Sequence, residues 1–299
     1  MNWQNAINDY KIYLKLEKGK ADNTIQSYVR DVEKLASFAS QNPTEIDYEE
    51  VQQFVYEIAK TSIKERSQAR LISALRSFFK FLVLDEKRED NPTELIDLPK
   101  LGLYLPDTLS ESEITKIIQQ IDLSHPQGER NRAMLETLYG CGLRVSELVN
   151  LKISDLFFNE SFIRVLGKGS KERLIPIAKV TMKYINIYKD EVRIHQKVQD
   201  KYKDILFLNR NGKQLTRVMV FTIIKELVQK TDITKTISPH TFRHSFATHL
   251  LQNGADLRSI QLMLGHESII TTEIYTHIDA KDLQKTILEH HPRNIKNNS

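Results

Sequence analysis

The sequence predicts a mainly α-helical protein with a small antiparallel β-sheet, in which an N-terminal helical bundle precedes a C-terminal α+β domain. Three observations predict this fold class. Apolar residues recur at helical spacing through the first hundred residues, prolines and glycines interrupt the chain between about 90 and 108, and short strand-like runs occur between 156 and 177. A chain of 299 residues is long enough for two domains. We therefore expect domains at residues 1–90 and 109–299, joined by a linker at 91–108.

The first domain is predicted to be a bundle of about four helices, because its apolar residues repeat every three or four positions. One such stripe, in a helix that Asp22 or Asn23 is placed to cap, contains Ile25, Tyr28, Val29, Val32, Leu35 and Ala36. Another contains Leu71, Ile72, Leu75, Phe78, Phe79 and Leu82. Similar spacing around Trp3 and Val51 predicts the remaining two helices.

The second domain is predicted to combine helices with a three-stranded meander. Helices are expected near 110–121 and 129–140. Three short apolar runs follow, at 156–158, 162–166 and 174–177, and polar or glycine-rich turns separate them. Helices are expected to resume at about 178 and to continue to the end.

The composition, with 40% hydrophobic and 27% charged residues, is that of an ordinary soluble protein, and a cytoplasmic location is expected. No uninterrupted apolar run of about 18 residues is present, and no apolar segment follows a basic one at the start, so neither membrane insertion nor secretion is expected. The single cysteine, Cys141, cannot form an internal disulfide and is expected to be a small buried residue.

The charge is distributed unevenly along the chain. Residues 1–104 contain 15 basic and 17 acidic residues, whereas the remainder contains 28 basic and 22 acidic residues and all nine histidines. A basic surface that follows DNA phosphates is therefore compatible with the second part, although many basic domains bind no anion.

Two sequence patches in the second domain offer cations for a phosphate. Arg144 follows the turn GCGL and opens a predicted helix, so its guanidinium lies beside a helix N-terminus that favours anions. The alternative is an ion pair with Glu147, three residues later. Lys168 lies in the turn GKGSKER, which matches neither GxxxxGK[ST] nor GxGxxG, so nucleotide binding is not predicted. The alternative for Lys168 is a solvated basic turn.

A third patch, SPHTFRHSFATHLLQNG, has strong helix signals, from its serine–proline start to Gly254 just beyond its end. His240 and Arg243 are three residues apart and project together from the first turn. This spacing places an imidazole beside a guanidinium. His244 and His249 are interpreted as surface or packed histidines.

The fourth patch, LGHESIITTEIYTHI, contains His266 directly after Gly265, and Tyr275 nine residues later on a predicted short helix. Taken alone, a tyrosine at such a position is usually a packing residue. Histidines are frequent in this region, but HExxH and its relatives are missing and no carboxylate lies at a matching offset. No metal and no other cofactor is expected.

The order and spacing of the four patches together resemble the tyrosine recombinase (phage integrase) family, and most of all its Xer-type chromosome-dimer recombinases. The positions that match the family's catalytic residues are Arg144, Lys168, His240, Arg243, His266 and Tyr275. The likeness covers essentially the whole chain and implies that the front domain is a core-binding, SAM-like domain. Cys141 replaces the usual small residue before GLR, which is a conservative change.

The resemblance implies that Tyr275 attacks a phosphate and forms a 3′-phosphotyrosyl bond. A phenol, with a pKa of about 10, is a poor nucleophile unless its proton is removed and negative charge is stabilised nearby. Arg144 and Arg243 suit the non-bridging phosphate oxygens, and His266 suits a further hydrogen bond. Because the phosphotyrosyl bond retains the energy of the broken phosphodiester, rejoining should require neither ATP nor a metal.

Proton transfer is harder to assign. His240 is the best candidate to accept the proton of the tyrosine, and Lys168 is placed to protonate the leaving 5′ oxygen. Whether Lys168 or another group is the general acid stays open from the sequence.

The expected partner is a double-stranded DNA recombination site, held between both domains. Lys64, Arg66 and Arg70 open the fourth helix and are candidate DNA contacts, with a solvated helix face as the alternative. The resemblance implies that a C-terminal helix at about 281–291 docks on a neighbouring subunit in a tetramer on synapsed DNA. A sister recombinase and activation by an FtsK-type translocase remain open.

Other functions compete with this hypothesis. A mobile-element or phage integrase would share the motifs, although the start of the front domain close to Met1 favours a chromosomal role. A non-catalytic regulator is suggested by the helix-turn-helix spacing around Gly254, but it would not need Arg144, Lys168 and Tyr275 together. A type IB topoisomerase shares the chemistry and is ranked lower.

Overall fold

The computed structural model describes residues 1–61, 63–99, 107–167, 171–265 and 280–295. The chain divides into two compact units, residues 1–104 and 105–299, each with its own hydrophobic core.

The first unit is a helical bundle, as predicted. Its helices are α1 (Trp3–Leu16), α2 (Asp22–Phe38), α3 (Tyr48–Lys60) and α4 (Glu65–Leu84). Side chains cap two of them, since Asn2 accepts the N–H of Asn5 and Asp47 accepts the N–H of Glu50, both at 2.8 Å. The buried face of α4, which includes Phe78 and Leu82, packs against the other helices and forms the centre of the bundle.

The core of the first unit extends into the predicted linker. Thr93 and Ile96 are buried, and the guanidinium of Arg76 on α4 donates to the backbone carbonyls of both. The helix α4 already ends at Leu84, before a turn in which Glu86 has a φ of +53°, but the chain beyond still has an apolar side chain to bury. The packed part of this unit therefore reaches at least to Ile96.

The second unit is mainly helical with a small sheet. It contains α5 (Glu111–Gln119), α6 (Gly128–Gly140), α7 (Val145–Asn150), β1 (Leu156–Phe157), β2 (Phe162–Leu166), β3 (Glu172–Pro176), α8 (Lys179–Asn186), α9 (Arg217–Gln229), α10 (Pro239–Gln252), α11 (Leu257–Leu264), α12 (Ala280–His290) and α13 (Pro292–Ile295). A π-helical segment, Ile187–Val192, continues α8.

The predicted meander is confirmed. The strands lie in the order β1-β2-β3 and both pairs are antiparallel, with Ile163 opposite Leu156 on one side and opposite Ile175 on the other. Alternation along β3 turns Arg173 and Ile175 toward the interior. An arginine thus occupies a position that an apolar residue would normally fill.

The expectation of helices from about 178 to the end is wrong between about 196 and 216. The described chain there forms short turns and two isolated bridges, Lys152 with Ile205 and Leu208 with Gln214. The cause is local turn chemistry. The Asn209 side chain accepts the backbone N–H groups of Asn211 and Lys213, and Gly212 adopts a φ of +66° that favours glycine.

Within the described ranges, no helix is long and apolar enough to cross a membrane.

Candidate active site

Arg144 stands at the start of α7, as its position after the GCGL turn predicted. Its side chain remains about one-third exposed. Its backbone N–H donates to Oε2 of Glu147 at 2.7 Å, and its Nη1 donates to Oε1 at 2.8 Å. Nη2 donates to the carbonyl of Gly265 at 3.1 Å. The ion pair that the sequence offered as an alternative is therefore present, and it holds the guanidinium in place at a helix N-terminus.

Arg243 lies on the inner side of the first turn of α10 and is almost fully buried. Nη1 donates to the carbonyl of Gly142 at 2.7 Å, and Nη2 donates to the carbonyl of Leu264 at 2.5 Å. Burial, reinforced by the nearby charges of Arg144 and Arg173, lowers the pKa of Arg243 to about 9. A guanidinium in this setting gains stability when an anion arrives beside it.

Two glycines provide the backbone shape that these arginines need. Gly142 and Gly265 both have positive φ, at +57° and +64°. A Cβ at Gly142 would lie 2.4 Å from Cδ1 of Phe246, so no other residue fits without displacing that ring. Each glycine presents a carbonyl to a guanidinium, and Gly265 also ends α11, as predicted.

Glu147 is the carboxylate at the centre of this group. It is buried, and it faces the guanidiniums of Arg144, Arg173 and Arg243, the last at 3.8 Å from Oε2. Burial acts to raise the pKa of Glu147, but the hydrogen bonds and charge of Arg173, together with Arg144, hold it below its ordinary value. One carboxylate among three guanidiniums leaves net positive charge where a phosphate would bind.

Glu147 and Arg173 are members of this cluster that the sequence analysis does not predict as site residues. The sequence indicates Glu147 only as an ion-pair partner of Arg144, and nothing in GKGSKER distinguishes Arg173 from its basic neighbours. One signal was available, because the period-two pattern of β3 places Arg173 on the same face as Ile175. A charge facing a core requires a partner charge.

The other predicted catalytic residues are described unequally. His240 is exposed on the first turn of α10, one helical turn before the buried Arg243. Lys168, His266 and Tyr275 lie outside the described residues. The structure thus brings Arg144 and Arg243 together, and the catalytic roles of all six residues stay predictions.

The two other histidines of α10 behave as predicted. His244 is exposed. His249 is packed, with its Nδ1 at 2.9 Å from the hydroxyl of Tyr139. Cys141 is buried, which raises its pKa to about 12 and keeps its thiol protonated. Among the residues that the structure describes, no group of three or more His, Cys, Asp or Glu side chains is arranged to hold a metal.

The candidate DNA contacts of the first unit differ in their surroundings. Lys64 and Arg66 are exposed at the start of α4. Arg70, one turn later, forms an ion pair with the buried Asp31 of α2 and donates to the carbonyl of Ser27 at 3.3 Å. Arg70 therefore links α4 to α2.

The C-terminal helices pack against the unit that carries the arginines. Leu283 and Ile287 of α12 are buried in its core, whereas Leu288 is 47% exposed. His291 is fully buried between the rings of Tyr139 and Phe246, at centroid distances of 4.9 and 5.4 Å.

Arg293 fastens the end of the same segment. Its Nε donates to the buried carboxylate of Glu136 at 3.0 Å, and its Nη1 donates to the hydroxyl of Thr115 at 3.2 Å. The predicted C-terminal helix is thus docked on its own chain.

Comparison with known proteins agrees with this architecture. Residues 107–282 match the phage integrase family, and residues 7–86 match the phage integrase N-terminal SAM-like domain. The chain is 40% identical over 291 residues to tyrosine recombinase XerD of Staphylococcus epidermidis, covering 96% of this chain and 98% of that protein.

Two further comparisons support the same relationship. The chain is 38% identical to tyrosine recombinase XerD of Staphylococcus aureus, covering 97% of this chain and 99% of that protein. Among solved structures, XerH site-specific recombinase bound to its difH substrate is similar, with a TM-score of 0.66 and 25% identity over 87% of this chain and 78% of that one.

The fold, the gathered guanidiniums and these relatives define a class of enzyme that cleaves and rejoins DNA at specific sites through a tyrosine intermediate. The chain belongs to the phage integrase family of tyrosine recombinases, and within that family it is similar to the Xer recombinases.

Proposed function

We propose that this chain is a cytoplasmic recombinase that resolves chromosome dimers by exchanging strands at a specific DNA site within a synapsed tetramer. The observation that carries the proposal is the pair of guanidiniums, Arg144 and Arg243, held on either side of Glu147 beside Gly265. The next residue in the chain is His266, and Tyr275 follows nine residues later. The full-length similarity to Xer recombinases supports the chromosomal role.

The proposed chemistry is a transesterification. The phenolate oxygen of Tyr275 bonds to the phosphorus, the bond to the 5′ oxygen breaks, and the leaving oxygen takes up a proton. Arg144 and Arg243 stabilise the charge that develops on the non-bridging oxygens, and His266 adds a hydrogen bond.

Proton transfer is assigned to two further groups. His240 accepts the phenol proton, in line with its exposure one turn before Arg243. Lys168, four residues before the start of β3 in the sequence, supplies the proton to the 5′ oxygen. Rejoining is the reverse reaction with a 5′ hydroxyl of the partner strand, so no external energy source is consumed.

The test is a nicked suicide substrate, from which the short cleaved strand diffuses away and leaves the covalent intermediate trapped. Genomic fragments from the source organism serve as the initial DNA pool, and sequencing of the trapped fragments identifies the site. We expect an adduct with the wild-type chain and none with Tyr275→Phe. Binding of the site without any adduct would instead indicate a non-catalytic regulator.

Substitutions of the arginines test the assigned roles. Arg243→Ala should lower the cleavage rate by about 10²–10³-fold, as the loss of one transition-state hydrogen-bond donor does in other enzymes. Incubation with EDTA should leave cleavage intact. Near wild-type cleavage by Arg243→Ala would refute the role of that residue.

A further inference from the structure

Arg173 is a buried charge that the proposed chemistry does not use. It lies on β3 with its side chain only 4% exposed, at a strand position facing the core. A buried guanidinium is costly unless every donor finds a partner. Its partners therefore indicate what it does.

Those partners belong to two other elements of the site. Nη1 and Nη2 donate to Oε1 and Oε2 of Glu147 on α7, both at 2.9 Å, in a two-pronged ion pair. Nε donates to the carbonyl of Met263, near the end of α11, at 2.7 Å. The stem of Arg173 also lies against Gly265, where a Cβ would be 3.2 Å from its Cδ. One side chain thus joins β3, the start of α7 and the end of α11.

The start of α7 and the end of α11 anchor the two arginines of the proposed reaction. Glu147 binds both the backbone N–H and the guanidinium of Arg144. The end of α11 supplies the Leu264 carbonyl to Arg243 and the Gly265 carbonyl to Arg144. Arg173 contacts both Glu147 and the end of α11, as Arg144 and Arg243 also do, and it therefore binds the two groups that anchor those arginines.

We propose that Arg173 is a positioning residue for DNA cleavage, which sets the geometry of Arg144 and Arg243 by holding Glu147 and the end of α11. The inference rests on the proposed function, because it concerns the same reaction. Arg173 does not contact the phosphate itself, since its side chain is buried and its fork is occupied by the carboxylate. Arginine suits this position because lysine cannot bridge both carboxylate oxygens and a carbonyl at once.

The test compares Arg173→Met and Arg173→Lys with a matched control, Arg164→Met. Arg164 is also an arginine in an ion pair on this sheet, with Nη2 at 2.8 Å from Asp155, but it lies on β2 and its side chain is 39% exposed. Four quantities are measured for each protein: the single-turnover cleavage rate on the suicide substrate at saturating DNA, the Kd for that DNA, the melting temperature and the pH dependence of the cleavage rate.

We expect Arg173→Met to cleave about 100-fold more slowly, because small displacements of catalytic groups have effects of that size, while its Kd changes by less than about threefold. Arg173→Lys should retain more activity, on the order of tenfold below wild type, because one charge and one hydrogen bond remain. Arg164→Met should match the wild-type rate.

The pH dependence of the cleavage rate distinguishes a positioning role of Arg173 from a simple loss of folded protein. The described charged groups facing Glu147 are Arg144 from its own helix, Arg173 from β3 and Arg243 from α10. Burial raises the pKa of Glu147 and Arg173 counteracts it, so removing Arg173 should shift the acid limb of the profile to higher pH. The profile of Arg164→Met should not shift.

The outcomes are distinguishable. Wild-type cleavage by Arg173→Met, or a rate loss explained by a lower melting temperature with an unshifted profile, would overturn the inference and leave the proposed function standing. If Arg173→Met does not fold, the cleavage rate and the pH profile of Arg173→Lys decide instead. A wild-type rate, or a loss of rate that follows the melting temperature with an unshifted profile, would again overturn the inference. A wild-type chain that forms no adduct would overturn the proposed function itself.

Discussion

Glu147 organises the site because it satisfies three guanidiniums with two oxygens. Alone, each arginine would be an expensive group to hold near a core, and their mutual repulsion would separate them. With Glu147 in place, two positive charges remain in excess, and a DNA phosphate neutralises one of them. The resting site therefore has the charge of an anion-binding site before any DNA is present.

The glycine at 142 is expected to be irreplaceable for a steric reason. In Gly142→Ala, the new methyl group would occupy the position of the Phe246 ring, in addition to straining a backbone with positive φ. The strain alone costs about 1–2 kcal/mol, and overpacking adds about 1–3 kcal/mol. The free energy of unfolding of the second unit, measured in urea, should fall by the sum.

The matched control is Gly254→Ala in the same unit. Gly254 also has positive φ, at +91°, but a Cβ there would meet nothing closer than 3.9 Å. The free energy of unfolding of Gly254→Ala should therefore fall only by the cost of the backbone strain, about 1–2 kcal/mol. Equal losses for the two variants would show that contact with Phe246 does not matter.

Lys64 and Arg70 should respond differently to substitution, although both were predicted as DNA contacts. If Lys64 contacts a phosphate, Lys64→Gln should weaken DNA binding and reduce the slope of log Kd against log salt by about 1, with an unchanged melting temperature. Arg70→Gln should lower the melting temperature as well, because it leaves the buried Asp31 with only the longer contact to Lys34, at 3.4 Å. Fluorescence anisotropy over a salt series, with thermal melts, measures both effects. An unchanged salt slope for Lys64→Gln would place that residue on a solvated helix face.

At the scale of elements, the predictions that held depended on local signals. The start of α7 at Arg144, the start of α10 at Pro239 and the end of α11 at Gly265 follow from capping chemistry and from glycine at positive φ. The meander followed from three apolar runs and the turns between them. In each case the residues that decide the structure are neighbours in sequence.

The contacts that sequence reasoning missed join residues far apart in the chain. The ion pair of Arg173 with Glu147 spans 26 positions, and the contact of Arg293 with Glu136 spans 157. No local pattern specifies which carboxylate a buried arginine will find. The pairing depends on how β3, α7 and the C-terminal helices pack, which a single sequence does not reveal.

The docking of the C-terminal helices should depend on pH through His291. Burial, with the charges of Arg293 and His249 nearby, lowers the pKa of His291 to about 3, whereas a released His291 would titrate near 6.5. Its Nδ1 also accepts the backbone N–H of Arg293 at 3.2 Å, which a protonated Nδ1 could not do. The released form therefore binds a proton that the docked form excludes.

Low pH therefore favours release of the C-terminal helices. Docking is fully stable above pH 6.5 and weakens as the pH falls below it, by about 1.4 kcal/mol per pH unit. Limited proteolysis within residues 280–295 should thus be faster at about pH 5.5 than at about pH 7.5. Two variants are digested at the same two pH values as controls. His291→Phe should lose this dependence and the exposed His244→Gln should keep it. Acid release that persists in His291→Phe would assign the effect to another group.

At the scale of the whole molecule, the C-terminal helices pack beside the residues that hold Arg243. Phe246 contacts His291 on one side and lies against Gly142 on the other, and Gly142 provides a carbonyl to Arg243. A chain whose C-terminal helices leave their own unit would lose the ring packing beside this glycine. A neighbouring subunit that donated its own helices would restore it, which would link activity to assembly.

Truncation distinguishes this exchange from simple intramolecular capping. A chain ending at Lys281 loses the buried Leu283, Ile287 and His291. If the helices exchange between subunits, the truncated chain should bind a single DNA site but fail to bring two sites together, as measured by co-migration of two differently labelled DNAs in a native gel. If they only cap their own chain, synapsis should persist and the melting temperature should fall.

A chain ending at Ile295, which keeps both helices, is the control for the truncation. A second comparison, of Ile287→Ala with the exposed Leu288→Ala, tests the same point without a deletion. Burial of Ile287 predicts that its substitution costs about 2–5 kcal/mol of docking, so only that variant should reduce synapsis.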